Sequence, residues 1–150
     1  MVNTIVTLAG ATGDLGGRIA TALARRGSSV RALVRLGTGT ESTQALRRSG
    51  AELRQVSFDD AAGLSEAVAG SSCVVSVLSG LQDVIVGAQT QLLRAVEVAR
   101  VPRFIPSDFT CDLTHVPPGE NRNFDLRLAF HQELATSSVR QSTELKLHRL

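Results

Sequence analysis

Three observations predict an α/β fold with a doubly wound parallel sheet. Five short apolar or alternating runs each give way to a segment of helical spacing, the alternation that builds a parallel sheet covered on both faces. The fourth run, Cys73–Leu78, is apolar almost throughout, the mark of a strand buried on both sides. The first run, Thr4–Leu8, passes directly into Gly10, Gly13 and Gly16 and then into a helical pattern. With right-handed crossovers and a nucleotide-type turn after the first strand, the expected strand order is 3-2-1-4-5 in three layers. A sixth strand is an open addition to it.

The elements follow in order. Leu15, Ile19, Ala22 and Leu23 recur at helical spacing after the glycines, and Arg25, Arg26 and Gly27 suit the end of that helix. Ser29–Val34 reads as the second strand with Arg35 at its end, and Leu36–Thr40 as a loop. Glu41–Ser49 is a short helix stopped by Gly50. Ala51–Phe58 alternates like a strand, and Asp59-Asp60 opens a helix closed by Gly70. After the fourth strand Ser79–Asp83 breaks the pattern, with Asp83 as candidate N-cap for a helix carrying Val84, Ala88, Leu92, Val96 and Ala99. Arg103–Pro106 is a fifth short strand. Ser107–Gly119 is a loop, and Phe124–Ala135 is a last helix that includes Leu128 and Phe130. Within the tail Thr136–Leu150, Val139–Leu147 is the candidate sixth strand, diluted by charged and polar residues.

The length of 150 residues fits one domain, 1–150, with a core of its own. A net charge of +2 gives no strong attraction to nucleic acid or to a membrane surface. Of sixteen basic residues all but Lys146 are arginine, and the chain has no Tyr and no Trp. Cys73 and Cys111 are too few and too far apart for a disulfide scaffold or a zinc site, so no metal is expected. No signal peptide is legible and no run approaches the ~18 apolar residues of a membrane span. The expected compartment is the cytoplasm.

The glycine turn is where chemistry enters. Gly10 permits a sharp turn off the strand, Gly13 keeps a Cβ out of the way of phosphates, and Gly16 lets the new helix pack close to the sheet. A helix N-terminus then offers free N–H donors and partial positive charge to a pyrophosphate. Gly10, Thr12, Gly13, Asp14, Leu15 and Gly16 are the candidate residues. The spacing G-x-x-G-x-x-G is not the commoner G-x-G-x-x-G, and by itself also fits a flexible loop; its place between strand and helix favours the nucleotide site. Arg35 stands where the second strand of such a fold meets the adenosine ribose. An acid there binds the 2′-OH of NAD; an arginine forks onto the 2′-phosphate of NADP. NADP(H) is therefore the expected cofactor, with NAD as the alternative, and a solvated charge is the plain alternative for Arg35. Arg31 points to the same face by alternation and need not share the role. Arg18 is a second candidate for phosphate contact. Asp59 either accepts from the adenine amino group or serves, like Asp60, as a helix cap. Ser79 and Gly80 stand at the carboxyl edge of the sheet, where ligands bind.

Gly10-Ala-Thr-Gly13-Asp-Leu-Gly16, Arg31-Ala-Leu-Val-Arg35 and Phe104-Ile-Pro-Ser-Asp-Phe109 together resemble the NmrA-like, isoflavone-reductase-like branch of the atypical short-chain dehydrogenase/reductases, over about residues 4 to 135. The resemblance implies a Rossmann fold, a nicotinamide dinucleotide, and Pro106, Ser107 and Phe109 beside the nicotinamide. It implies either hydride transfer to a small carbonyl, enone or quinone-like substrate or, as in some members, a redox sensor without turnover. A homo-oligomer is left open.

The departures concern catalysis. The common Tyr-x-x-x-Lys pair is absent, since the chain has no Tyr. The lysine that isoflavone-reductase-like enzymes carry on the helix after the Ser-Asp-Phe turn is missing from Asn123–Glu133. Arg127 is the nearest cation there, able to anchor an anion or a ribose but too basic to be a general acid. His131 is the titrating residue of that helix, a proton donor or a surface histidine; His115 in the loop has the same two readings. Family members usually continue into a lobe that closes over the substrate. The expectation is a nucleotide-binding half, with a tail 137–150 unlike the family's continuation.

Overall fold

The computed structural model describes residues 4–109 and 112–141. Six parallel strands form one sheet: β1 (Ile5–Ala9), β2 (Ser29–Arg35), β3 (Glu52–Val56), β4 (Cys73–Ser76), β5 (Arg103–Ile105) and β6 (Arg140–Gln141). Their order is β3-β2-β1-β4-β5-β6, the expected order plus the sixth strand. That strand is short, with Arg140 opposite Arg103; the rest of the expected strand, like Lys146 and Cys111, lies outside the described residues.

The helices are α1 (Asp14–Arg25), α2 (Thr40–Arg48), α3 (Ala61–Val68), α4 (Gln89–Val98) and α5 (Arg122–Thr136). Strand alternation splits the core in two. Leu8, Val30, Ala32, Val34 and Val75 face Ala20 of α1 and Leu46 of α2. Ala9, Leu33, Val74 and Phe104 face α3, α4 and α5, where Phe130 and Leu134 close the layer. Phe104 and Phe130 meet at a tilted angle, ring centroids 6.3 Å apart, a favoured aromatic geometry.

Several local expectations change. The helical backbone already begins at Gln82 (φ −59°, ψ −41°), so Asp83 is inside the helix and is not its N-cap. The turn Asp83–Ala88 is π-helical and runs straight into α4. β4 stops at Ser76, two residues early: Val77 still donates its N–H to the Ala9 carbonyl at 2.8 Å, but the turn at Gly10 then carries β1's chain away. Arg31 is buried. Its guanidinium donates to Glu52 (3.1 Å) and to the carbonyls of Ala67 (3.1 Å) and Ala69 (2.8 Å), satisfying the end of α3 that lies over β2. The same guanidinium holds the Glu52 carboxyl below its ordinary range.

Candidate functional site: a cleft at the carboxyl edge of the sheet

The register sets the site. Ala9 at the end of β1 lies opposite Leu33 of β2 and Ser76 of β4, so three strand ends open on one edge. Gly10 leaves β1 with φ +88°, and a Cβ on it would sit 2.6 Å from the Val77 carbonyl oxygen. The turn thus fits against β4's exit only without a side chain. A Cβ on Gly16 would run into the Gly10 carbonyl oxygen and come within 2.7 Å of the Ala11 Cα. The close approach that Gly16 allows is therefore to the turn itself. At Gly13 a Cβ would meet only the Gly10 oxygen, at 3.5 Å, so no protein atom requires this glycine. Its N–H closes the turn on Gly10 (3.1 Å), and as N-cap of α1 it has no side chain to cap the helix. The first-turn N–H groups of α1 are left for another acceptor.

A cleft of about 270 Å³ opens here, just below the ~300–1,000 Å³ usual for small-molecule sites. It brings together Gly10, Thr12, Gly13, Arg35 and Ser79 of the sequence-derived set. Leu33, Thr38, Phe58, Val77, Leu78, Val84 and Ala88 complete the lining and were not singled out from sequence. Thr38 is delivered by a tight turn: its N–H (3.1 Å) and hydroxyl (2.7 Å) both donate to the Arg35 carbonyl. The Leu36-Gly37 dipeptide was a legible signal for that turn; nothing comparable marked Phe58.

Other predicted residues lie outside the lining. Asp14 and Leu15 are exposed on the first turn of α1, and Asp14 pairs with Arg18 at 3.1 Å. Asp59 is exposed beside Phe58, while Asp60 caps α3 by accepting from the Gly63 N–H at 3.0 Å. Gly80 has a reason within the chain: a Cβ there would come within 2.7 Å of the Val84 side chain. A larger groove of about 700 Å³ between α1 and α2 shares Thr12 and Gly13 and includes Arg18 and Arg25, but not Arg35 or the ends of β2 and β4.

The Pro106–Phe109 turn follows β5 on the same edge. Ser107 is buried, and its hydroxyl donates to the Leu78 carbonyl at 2.7 Å. Its carbonyl accepts from Arg127 Nε at 3.1 Å, and Arg127 Nη1 donates to the Asn123 carbonyl at 2.9 Å. One helical turn further, His131 Nε2 lies 2.6 Å from the Asp108 carboxylate. That hydrogen bond pushes the imidazole pKa up, against the opposing effect of burial. The other Asp108 oxygen is buried without a partner among the described residues. Phe109 is 39% exposed, and Pro106, Ser107 and Phe109 are not among the residues that line the cleft. His115 pairs with Asp112 at 3.0 Å on the surface. Among the described residues no group of three or more His, Cys, Asp or Glu could hold a metal ion. No helix there is long and apolar enough to cross a membrane.

A sequence model described as the NmrA-like family matches residues 2–133. Pinoresinol reductase 2 of Arabidopsis thaliana is 32% identical over 147 residues, covering 91% of this chain and 46% of the relative. Phenylcoumaran benzylic ether reductase PT1 of Pinus taeda is 34% identical over 118 residues, covering 74% of this chain and 37% of the relative. The solved complex of AtPrR2 with NADP+ and (+)pinoresinol superposes with a TM-score of 0.82 at 30% identity, over 94% of this chain and 49% of that one. The chain spans about half the length of the curated relatives it matches.

Proposed function

The chain belongs to the NmrA-like family, and from that premise we propose that it binds NADP(H) in the cleft at the end of β2 and serves hydride transfer to a small carbonyl, enone or quinone-like acceptor. The observation that carries the reading is one cleft lined both by the glycine turn, with its uncapped helix, and by Arg35. The residues fit the cofactor part by part. The bare Gly13 and the first turn of α1 take the pyrophosphate. Arg35 forks onto the 2′-phosphate. Leu33 and Phe58 form an apolar wall for the adenine, and Ser79, Val84 and Ala88 line the way toward the nicotinamide. The solved relative that holds NADP+ supports the same cofactor here.

When bound, NADPH supplies the hydride. The chain's own part near the transfer is the Pro106–Phe109 turn, with Arg127 behind Ser107 to hold an anionic oxygen and His131 as the titrating group. The substrate class and a cytoplasmic site of action belong to the same proposal.

Titration of the full chain with NADPH and NADH tests the reading. A charged, bidentate contact is worth about 1.5–3 kcal/mol. Arg35→Ala is therefore expected to weaken NADPH about ten- to a hundredfold and to leave NADH nearly unchanged. Equal loss for both cofactors removes the 2′-phosphate role. Tight binding without oxidation of NADPH across a panel of quinones and enals removes the hydride-transfer part and leaves a cofactor-binding sensor.

A further inference from the structure

Gln89 is a fully buried polar residue that does not line the cleft. It is the first residue of α4, directly after the π-helical turn. Its Nε2 donates to the Ile85 carbonyl at 2.9 Å, and its Oε1 accepts the Ser107 N–H at 2.8 Å. Ile85 lies inside the π turn, between the cleft residues Val84 and Ala88. Ser107 carries the link onward to Leu78, another cleft residue, and to Arg127. One side-chain amide therefore ties the π turn after β4, whose Val84 and Ala88 line the cleft, to the Pro106–Phe109 turn after β5, which lies outside that lining. A buried amide is costly unless its groups are met, and one satisfied at both ends fixes the spacing between its partners. The π turn points the same way, because such turns are rare and concentrate at functional sites.

We infer that Gln89 is a positioning residue, holding the Pro106–Phe109 turn at the distance from the π turn that the nicotinamide half of the dinucleotide requires. This rests on the NADP reading above. Gln89 acts through Ser107 and is too deeply buried to touch a ligand itself. The adenosine half, bound at Arg35 and Phe58, lies at the other end of the cleft and does not depend on it.

The test separates the two halves of the ligand. The full chain is titrated by calorimetry with NADPH and with 2′,5′-ADP, which carries the adenosine and 2′-phosphate but no nicotinamide. Gln89→Met keeps the volume and removes both hydrogen bonds, leaving a buried donor and acceptor short of a partner. It is expected to weaken NADPH about tenfold and to leave 2′,5′-ADP within about twofold. A purely structural role moves both ligands together or neither, and either result overturns the inference. If the wild-type chain binds neither ligand, the NADP reading fails first and this inference with it. If circular dichroism shows that Gln89→Met does not fold, Gln89→Asn replaces it: the amide stays but ends one methylene short of Ser107, and the same selective loss is expected.

Discussion

Gly16 and Gly13 belong to one motif and do different work. Any side chain at position 16 strikes the carbonyl of Gly10, whereas position 13 has room by the chain's own atoms. Gly16→Ala is therefore expected to cost about 1–3 kcal/mol, as overpacking does, read as a lower urea midpoint. A loss below about 0.5 kcal/mol would mean that the turn can shift at little cost. The two arginines of β2 show the limit of reading residues one at a time. Arg31 and Arg35 are four apart on one face of one strand, and alternation gives no reason to separate them. Arg31 is buried because the end of α3 comes over β2 and offers it carbonyls. Arg35 stays exposed at the cleft because the strand ends there. The difference is made by a helix more than thirty residues further on, which no local pattern records.

At the scale of elements, starts and stops marked by strong local chemistry were legible. Asp59-Asp60 before an apolar run announced α3, and the structure resolves which of the two caps it. Asp60→Ala removes the bond to the Gly63 N–H and is expected to lower stability by about 1 kcal/mol. The control Asp59→Ala is expected to stay within about 0.5 kcal/mol, both by urea denaturation; equal losses would reject the cap assignment. The π turn was not legible, for a physical reason. Over six residues the apolar positions Val84, Ile85 and Ala88 fit an α-helical stripe as well as a wider turn. The Gln89 side chain that links this turn to Ser107 is a tertiary contact, which such spacing does not record. Thr38 and Phe58 carry no local signal of their place for the same reason, since a cleft lining is assembled from strand ends whose neighbours are set by topology.

At the scale of the whole molecule, the order of the first five strands followed from handedness and from one nucleotide-type turn. The tie that holds α5 to the carboxyl edge did not, because it joins Asp108 in a loop to His131 in a helix. Its consequence is a pH dependence of stability. The hydrogen bond that the imidazole donates to the Asp108 carboxylate raises the His131 pKa in the folded chain above its ordinary 6.5. A group whose pKa rises on folding binds its proton more tightly in the native state. The stabilisation is then full below the unfolded value and is lost as pH climbs through the raised folded one. The two other shifted groups among the described residues act elsewhere. Glu52, lowered by Arg31, contributes above the ordinary carboxylate range and is lost only in acid. Cys73, raised by burial, becomes a cost only when pH passes its ordinary 9.0. Between those windows His131 stands alone among the shifted groups of the described residues. The urea midpoint of the wild-type chain is therefore expected to fall from pH 6 to pH 8, on the order of the imidazole range. Asp108→Asn and His131→Gln are expected to flatten that fall. Asp108→Asn keeps the histidine but removes its charged partner, so a fall that survives it would place the titration on another group and leave α5 held by Phe130, Leu134 and the Arg127–Ser107 bond.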